Sequence, residues 1–278
     1  MKYLLVLILV VSFSSCTNYD EKMRKFDASF TKMRKITSAN VLNHELILGR
    51  PYIIHYADSS VVIYDDINDS IFTLIDLRDN NSVYHFGKRG EGNNEFLQVF
   101  SLCSLYGDSL IGVYDVYKRN LVEMNIRQIK QGNIQFPVLM QDSLMSLNIC
   151  PTQYDTYLGL GFYENNMFSL TGKHIGSRYY YEYPYRDKQE KEVKNRLRGM
   201  AYQGTLSSNK SLNRFVFAIG SAPIFSLYSV NKDNIDKSFE FVGGYPEYKT
   251  EDTGTTRSAP MSVANKMAFI KAYATEKY

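Results

Sequence analysis

Hydrophobic residues come along this chain in short runs broken by polar turns, and the runs repeat. The stretch DSSVVIYDDINDSIFTLIDL from residue 58 faces DSLIGVYDVYKRNLVEMNI from residue 108, an offset of fifty. The pairs Val61/Ile111, Ile63/Val113, Ile71/Leu121, Phe72/Val122 and Leu74/Met124 keep one register, with the polar turns DDINDS and DVYKRN between the halves. Short apolar runs bounded by Asp, Asn and Ser predict strand, turn, strand. Residues 51–57 (PYIIHYA) add a first strand, 61–64 a second, 71–77 a third and 82–86 a short fourth. Four antiparallel strands in roughly fifty residues is the size of one propeller blade.

Weaker echoes follow. Residues 156–171 place two apolar runs around Glu164-Asn165-Asn166, and residues 214–230 place two around Gly220-Ser221-Ala222-Pro223; each is expected to end a blade. Residues 267–273 (MAFIKAY) predict the start of another strand. At about fifty residues per blade, the stretch from Asn40 onward holds roughly four to five blades. The last blade is therefore expected to be incomplete in this chain, unless an N-terminal strand such as residues 41–47 completes it. One segment breaks the pattern. Residues 186–198 (RDKQEKEVKNRLR) are dense in charge, with Glu190/Lys194 and Glu192/Arg196 at helical spacing, which predicts a short solvated surface helix or an excursion between blades.

The N-terminus follows other rules. Lys2 precedes the unbroken apolar run 4–11 (LLVLILVV), and Ser12, Phe13, Ser14 and Ser15 lead into Cys16. This is the order of a secretion signal, and the run is too short for a lasting span, which takes roughly 20 residues. The small residues before Cys16 resemble the bacterial lipobox, with Phe13 where Leu is usual. That resemblance implies a signal peptide over 1–15, lipidation of Cys16, and a polar tether over 16–39 ahead of a propeller domain over 40–278. The alternative is an ordinary secreted protein with a stray Cys. Asp20 and Glu21 after the anchor resemble the acidic export tag of some Bacteroidetes surface lipoproteins. The expected location is the cell envelope, as an outer-membrane lipoprotein facing the periplasm or the surface.

Gly87, Gly90, Gly92, Glu95 and Phe96, in GKRGEGNNEF, resemble the turn between blades of TolB-like and NHL-like six-bladed propellers, with Asn93 and Asn94 where Pro-Gly is frequent. RGMAYQG from Arg198 resembles a second signature of the TolB-like propeller lipoproteins of Bacteroidales. The resemblance runs from about Asn40 to the end and implies an all-β propeller of four-stranded antiparallel blades; about activity it implies little. Physically, glycines let the backbone cross closely between blades. Glu95 is placed to accept hydrogen bonds from such a turn, and Phe96 to fill the space between sheets.

Composition narrows the chemistry. The net charge is only +3, without the basic stripe that nucleic acid demands, so no nucleic-acid partner is expected. The 23 Tyr and 16 Phe favour pleated, half-buried surfaces. Cys103 and Cys150 lie in apolar runs; in an oxidising envelope they could pair, but two buried free thiols are the preferred reading. His44, His55, His85 and His174 are scattered, and His55 and His85 fall on strands of one blade with their relative faces undecided. Asp65, Asp66, Asn68 and Asp69 form an Asx-rich cluster that reads as a hairpin turn before it reads as a calcium site, since its spacing fits no EF-hand. No catalytic motif, metal or cofactor is predicted. The best surface candidate is YYYEYPY, with Tyr179, Tyr180, Tyr181, Tyr183 and Tyr185 between Arg178 and Arg186, because Tyr and Arg give large contact area with polar tips. The expected function is a non-enzymatic envelope module that binds a protein or glycan, tethered to the membrane by its lipid. The alternative is a propeller enzyme, of glycan lyase or lactonase type, with its site in the central funnel; a pure scaffold is a third reading.

Overall fold

The computed structural model of this chain describes residues 46–79, 81–265 and 267–276, together with Glu21 and Arg24. The signal segment, Cys16 and His44 lie outside the described residues, as does most of the strand expected over 41–47. Four antiparallel sheets follow one another, each of four strands laid down in chain order. The first blade holds β1 (Pro51–Ala57), β2 (Ser60–Asp65), β3 (Phe72–Asp76) and β4 (Ser82–Phe86). A small parallel pair, β5 (Lys88–Arg89) and β6 (Glu95–Phe96), leads out of it. The second blade holds β7 (Val99–Ser104), β8 (Leu110–Asp115), β9 (Asn120–Asn125) and, after helix α1 (Ile126–Lys130), β10 (Val138–Gln141). The third holds β11 (Asn148–Pro151), β12 (Tyr157–Leu160), β13 (Phe168–Gly172) and β14 (Gly176–Tyr180). Helices α2 (Lys188–Lys191) and α3 (Asn195–Ala201) separate it from the fourth, β15 (Gly204–Ser208), β16 (Arg214–Ile219), β17 (Ile224–Asn231) and β18 (Asn234–Val242). A last short pair, β19 (Glu251–Asp252) and β20 (Arg257–Ser258), follows.

The first strands of the sheets converge. β7 touches β1, β11 and β15, and β11 touches β15. The sheets therefore radiate from a common axis, which is the arrangement of propeller blades. Between the first two blades Phe72 packs on Phe86 (5.4 Å), Phe96 (5.3 Å) and, through Phe96, Phe136 (5.0 Å). Between the third and fourth, Phe168 meets Phe217 (5.9 Å) and Tyr228 (4.9 Å). Each such ring contributes roughly 1.5–3 kcal/mol through burial, and edge-to-face pairs add about 1 kcal/mol.

The fifty-residue repeat falls on β2–β3 and β8–β9, and its Tyr-Asp pair has a structural reason. Asp65 and Asp115 are both fully buried at the ends of β2 and β8. Asp65 accepts from Gly49 N, Arg50 N, Ile67 N and Asn68 Nδ2. Asp115 accepts from Leu97 N, Gln98 N, Tyr117 N and Lys118 N. One carboxylate thus ties the segment entering each blade to the hairpin within it.

Three expectations are corrected. The runs in 156–171 and 214–230 are the middle strands of their blades, β12–β13 and β16–β17, rather than blade ends, because outer strands β14 and β18 follow each. Residues 267–273 form no strand: Ala268 N donates to Gly220 O (2.9 Å), and the segment then crosses to the first blade, where Tyr273 Oη donates to Ile54 O (2.9 Å). The charged segment is the second of its two expected forms, an excursion between blades built of two helices, and not the first, a solvated surface helix. Arg198 is 2% exposed and Glu190 is buried, because Glu190 accepts from Tyr202 Oη (3.1 Å) while Arg198 pairs with Glu182 (2.6 Å) under the Tyr185 ring. Lys194 pairs with Asp252 (3.0 Å) rather than with Glu190.

Candidate functional site

Alternation along β1 buries Ile53 and His55 and leaves Ile54 and Tyr56 exposed. Where the inner strands end, their chain-terminal residues surround a cleft of about 600 Å³. Its walls are residues 54–59 of the first blade, 104–105 of the second, 207–208 of the fourth, and 273–274 of the segment that crosses the axis. Tyr56 and Tyr273 are 63% and 55% exposed, so two phenol rings stand at its surface.

Two buried polar atoms of residues lining this cleft, His55 Nε2 and Ser208 Oγ, have no partner among the described residues. Buried polar groups in folded proteins are nearly always paired, so two orphans on one cleft wall mark a place where a ligand or ordered water supplies the missing bonds. Burial, with the nearby Lys271 charge as the lesser cause, pushes the His55 pKa down to about 4. At neutral pH the ring is therefore uncharged, with one donor and one acceptor nitrogen. The rim is charged but internally matched. Asp58 takes Arg78 (2.8 Å) and Arg127 (3.3 Å), and Lys210 pairs with Asp108. Burial alone would raise the Asp58 carboxyl, but hydrogen bonds from Arg127 and Arg78 outweigh it and hold it below the usual range.

The tyrosine run is engaged elsewhere. Tyr183 is buried and donates to Gly161 O (3.1 Å). Tyr180 Oη donates to Asp233 O, and Tyr181 Oη donates to Ile235 O (3.0 Å) while accepting from Lys237 N (2.9 Å). Arg178 pairs with Asp233 (2.6 Å), Arg186 donates to Pro246 O (2.9 Å), and Lys191 and Arg198 lie over the Tyr185 ring. Tyr179, 46% exposed, lies edge-on to Tyr163 at 5.4 Å. The run latches the third blade onto β18 and the loops after it.

A family model described as TolB-like 6-blade propeller-like matches residues 29–278. The chain belongs to that family. The described part of this TolB-like propeller holds four complete four-stranded blades. No curated protein matches it. Among solved structures, a chain of Bacteroides fragilis NCTC 9343 named as an exported protein is 12% identical, with a TM-score of 0.46 over 71% of this chain and 52% of its own. A member of the DUF4221 family from Bacteroides vulgatus ATCC 8482 is 9% identical, with a TM-score of 0.41 over 79% and 64%. The WD40 domain of Toxoplasma gondii coronin is 8% identical, with a TM-score of 0.38 over 68% and 45%. This TolB-like chain thus spans about half to two thirds of the length of these structures.

In this family member the blade-turn glycines have definite work. Gly87 and Gly90 hold positive φ of 76° and 149°. Glu95 Oε2 accepts from Gly92 N (3.0 Å), Lys118 Nζ caps the carbonyls of Gly92 (2.6 Å) and Glu95 (2.7 Å), and Phe96 sits between the first two blades. His55 and His85 lie on the first and fourth strands of one sheet, and the register His55–Val62–Leu74–Tyr84 puts them on opposite faces. His85 Nδ1 is 3.2 Å from Thr73 Oγ1, and His174 is exposed. Asp66 pairs with Arg50, and both oxygens of Asp65 are occupied by N–H donors, so the Asx-rich cluster is a turn network. Among the described residues no three His, Cys, Asp or Glu side chains stand close enough to hold a metal ion, and no helix is long and apolar enough to cross a membrane. Sequence reasoning missed Ser208 and Lys271, which belong to no motif. The available signal was the polar residue on the first strand of each blade, as in PYIIHYA and GTLSS.

Proposed function

We propose that this chain is a lipid-anchored propeller of the cell envelope, an outer-membrane lipoprotein held at Cys16, that binds a glycan or an extended protein segment in its axial cleft without transforming it. The observation that carries this is the pair of unpartnered buried atoms, His55 Nε2 and Ser208 Oγ, on a cleft faced by exposed Tyr56 and Tyr273. Aromatic faces with a few fixed polar groups suit sugar rings and peptide backbones alike. The cleft takes this role in place of the tyrosine run, in which the hydroxyls of Tyr180, Tyr181 and Tyr183 are spent on internal contacts. The lipid reading rests on the signal-like N-terminus and needs more than one acyl chain for lasting attachment.

The test is an array of glycans and extended peptides probed with the wild-type chain and with Tyr56→Ala/Tyr273→Ala. A ligand whose affinity falls at least tenfold in the variant, at unchanged melting temperature, supports the reading. A ligand bound equally by both moves the site elsewhere. The funnel-enzyme alternative would use neutral His55 as its base; conversion of a bound glycan, abolished in His55→Gln, would favour it over binding alone.

A further inference from the structure

Cys103 stands on β7 and Cys150 on β11, the inner strands of the second and third blades, and these strands touch. Both are free thiols in the structure, and the neighbouring Cys150 thiol, with burial, pushes the Cys103 thiol well above its ordinary pKa. Both are buried, at 5% and 0% exposure, in one core cluster. The surroundings fix their directions. Across the ladder from Cys103 lies Gly112, and a Cβ there would come to 2.5 Å from Cys103 Sγ, so the absent side chain is what gives that sulfur its room. Cys150 Sγ points at Asn148 Oδ1 (3.7 Å), whose amide is tied to Leu206 O of β15 (3.2 Å). The Lys271 ammonium lies near both sulfurs.

We propose that Cys103 and Cys150 form an inter-blade disulfide when the chain folds in an oxidising compartment, stapling the second and third blades beside the axis. The supply of oxidant in the cell rests on the envelope reading above. The chemistry is thiol–disulfide exchange. One thiolate attacks a sulfur of an oxidised thiol–disulfide carrier and expels that carrier's other sulfur as a thiolate. The second cysteine thiolate then attacks the mixed disulfide at the Cys sulfur and releases the remaining carrier thiol. Two S–H bonds are lost, one S–S bond forms, and the two electrons reduce the carrier. Because both thiols are buried in the folded state, the exchange belongs to folding or to transient opening of the axis.

The test has two arms. In the first, the purified full chain is refolded from denaturant in a buffer of oxidised and reduced glutathione, then alkylated and mapped by non-reducing proteolysis. The expected result is one peptide pair joined Cys103 to Cys150, lighter by two hydrogens, that resists alkylation under denaturing conditions; Cys103→Ser and Cys150→Ser each leave the surviving cysteine alkylated or carrying glutathione. Cys103 and Cys150 both alkylated or both glutathionylated in the wild type would overturn the pairing. In the second arm the same mapping is done on protein taken from the envelope of cells quenched with acid. A cross-link there supports the whole proposal. Free thiols there, with the cross-link present in the first arm, overturn the claim that the chain folds among oxidants while leaving the pairing itself intact.

Discussion

Replacing Asp65 should uncouple the entry of the first blade from its hairpin. The carboxylate has no exposure and accepts four N–H groups, at 2.6 and 3.0 Å on Oδ2 and at 3.0 and 3.2 Å on Oδ1. Each bond to a charged acceptor is worth about 1.5–3 kcal/mol, but the donors are only part-buried and regain water when the carboxylate goes. Asp65→Ala should therefore cost about 3 kcal/mol rather than the sum of four full bonds. Asp65→Asn keeps one oxygen and its two donors but turns an amide N–H toward Gly49 N and Asn68 Nδ2, for a cost of about 2 kcal/mol. For a domain of this size, 3 kcal/mol lowers the melting temperature by about 6–12 °C. The pH dependence gives an independent check. Burial alone would raise this carboxyl, but the Arg50, Ile67 and Gly49 N–H groups and Asn68 outweigh it and lower its pKa. A group depressed in the folded state stabilises fully above its unfolded value, about 3.9, and loses that stability as pH falls through the folded value. Urea unfolding of wild type and Asp65→Ala should thus differ by about 3 kcal/mol at pH 7 and converge as the medium is acidified below about pH 4. A difference under about 0.5 kcal/mol at pH 7, or one that does not shrink in acid, would refute the clamp.

Three further outcomes follow from the same structure, and a fourth from the proposed lipid anchor. His55 has a pKa of about 4 against roughly 6.5 unfolded, so the folded state loses on the order of 3 kcal/mol as pH falls from 6.5 through 4; His55→Gln should flatten that window in urea titrations. Gly90→Ala must hold a φ of 149° and places its Cβ on Glu95 Oε2, so differential calorimetry should show a loss of about 2 kcal/mol or more. Tyr183→Phe strips the buried bond to Gly161 O and should cost about 1 kcal/mol, whereas exposed Tyr179→Ala should fall within about 1 kcal/mol of wild type in the same unfolding assay. Cys16→Ala should move the protein from the detergent phase to the aqueous phase in detergent partitioning and abolish incorporation of radiolabelled palmitate.

The first blade was legible because its signals are local. PYIIHYA and SVYHF are bounded by Asx and Gly turns, and their strands fall within a residue or two of where the pattern puts them. The repeat was readable because in each of the first two blades one buried Asp must sit at a fixed place to gather its backbone donors. What was not legible depends on partners distant in the chain. Glu190 and Arg198 look like surface charges until Tyr202, Glu182 and Tyr185 close over them. Residues 267–273 have a strand's composition, yet form no strand and bond instead to Gly220 and Ile54 across the axis. Nor does any spacing in the sequence tell that Cys103 and Cys150 face one another, since their meeting follows from how β7 and β11 converge.

The same convergence separates the two groups of polar residues in this molecule. On the rim, Tyr180, Tyr181 and Arg178 find partners in β18 and its turn, because the outer strands of neighbouring blades splay apart and leave backbone carbonyls within reach of long side chains. At the axis the inner strands crowd together, and their ladder bonds are already made within each sheet. A polar side chain on their axial face then has only its counterparts from other blades or whatever enters the cleft. Asn148 finds Leu206 O, and the two thiols find each other. His55 and Ser208 find no partner among the described residues, and both line the cleft, a space large enough for a ligand. The rim chemistry that looks most like a binding site is thus consumed in holding blades together, and the plainer residues at the axis are the ones left with bonds to offer.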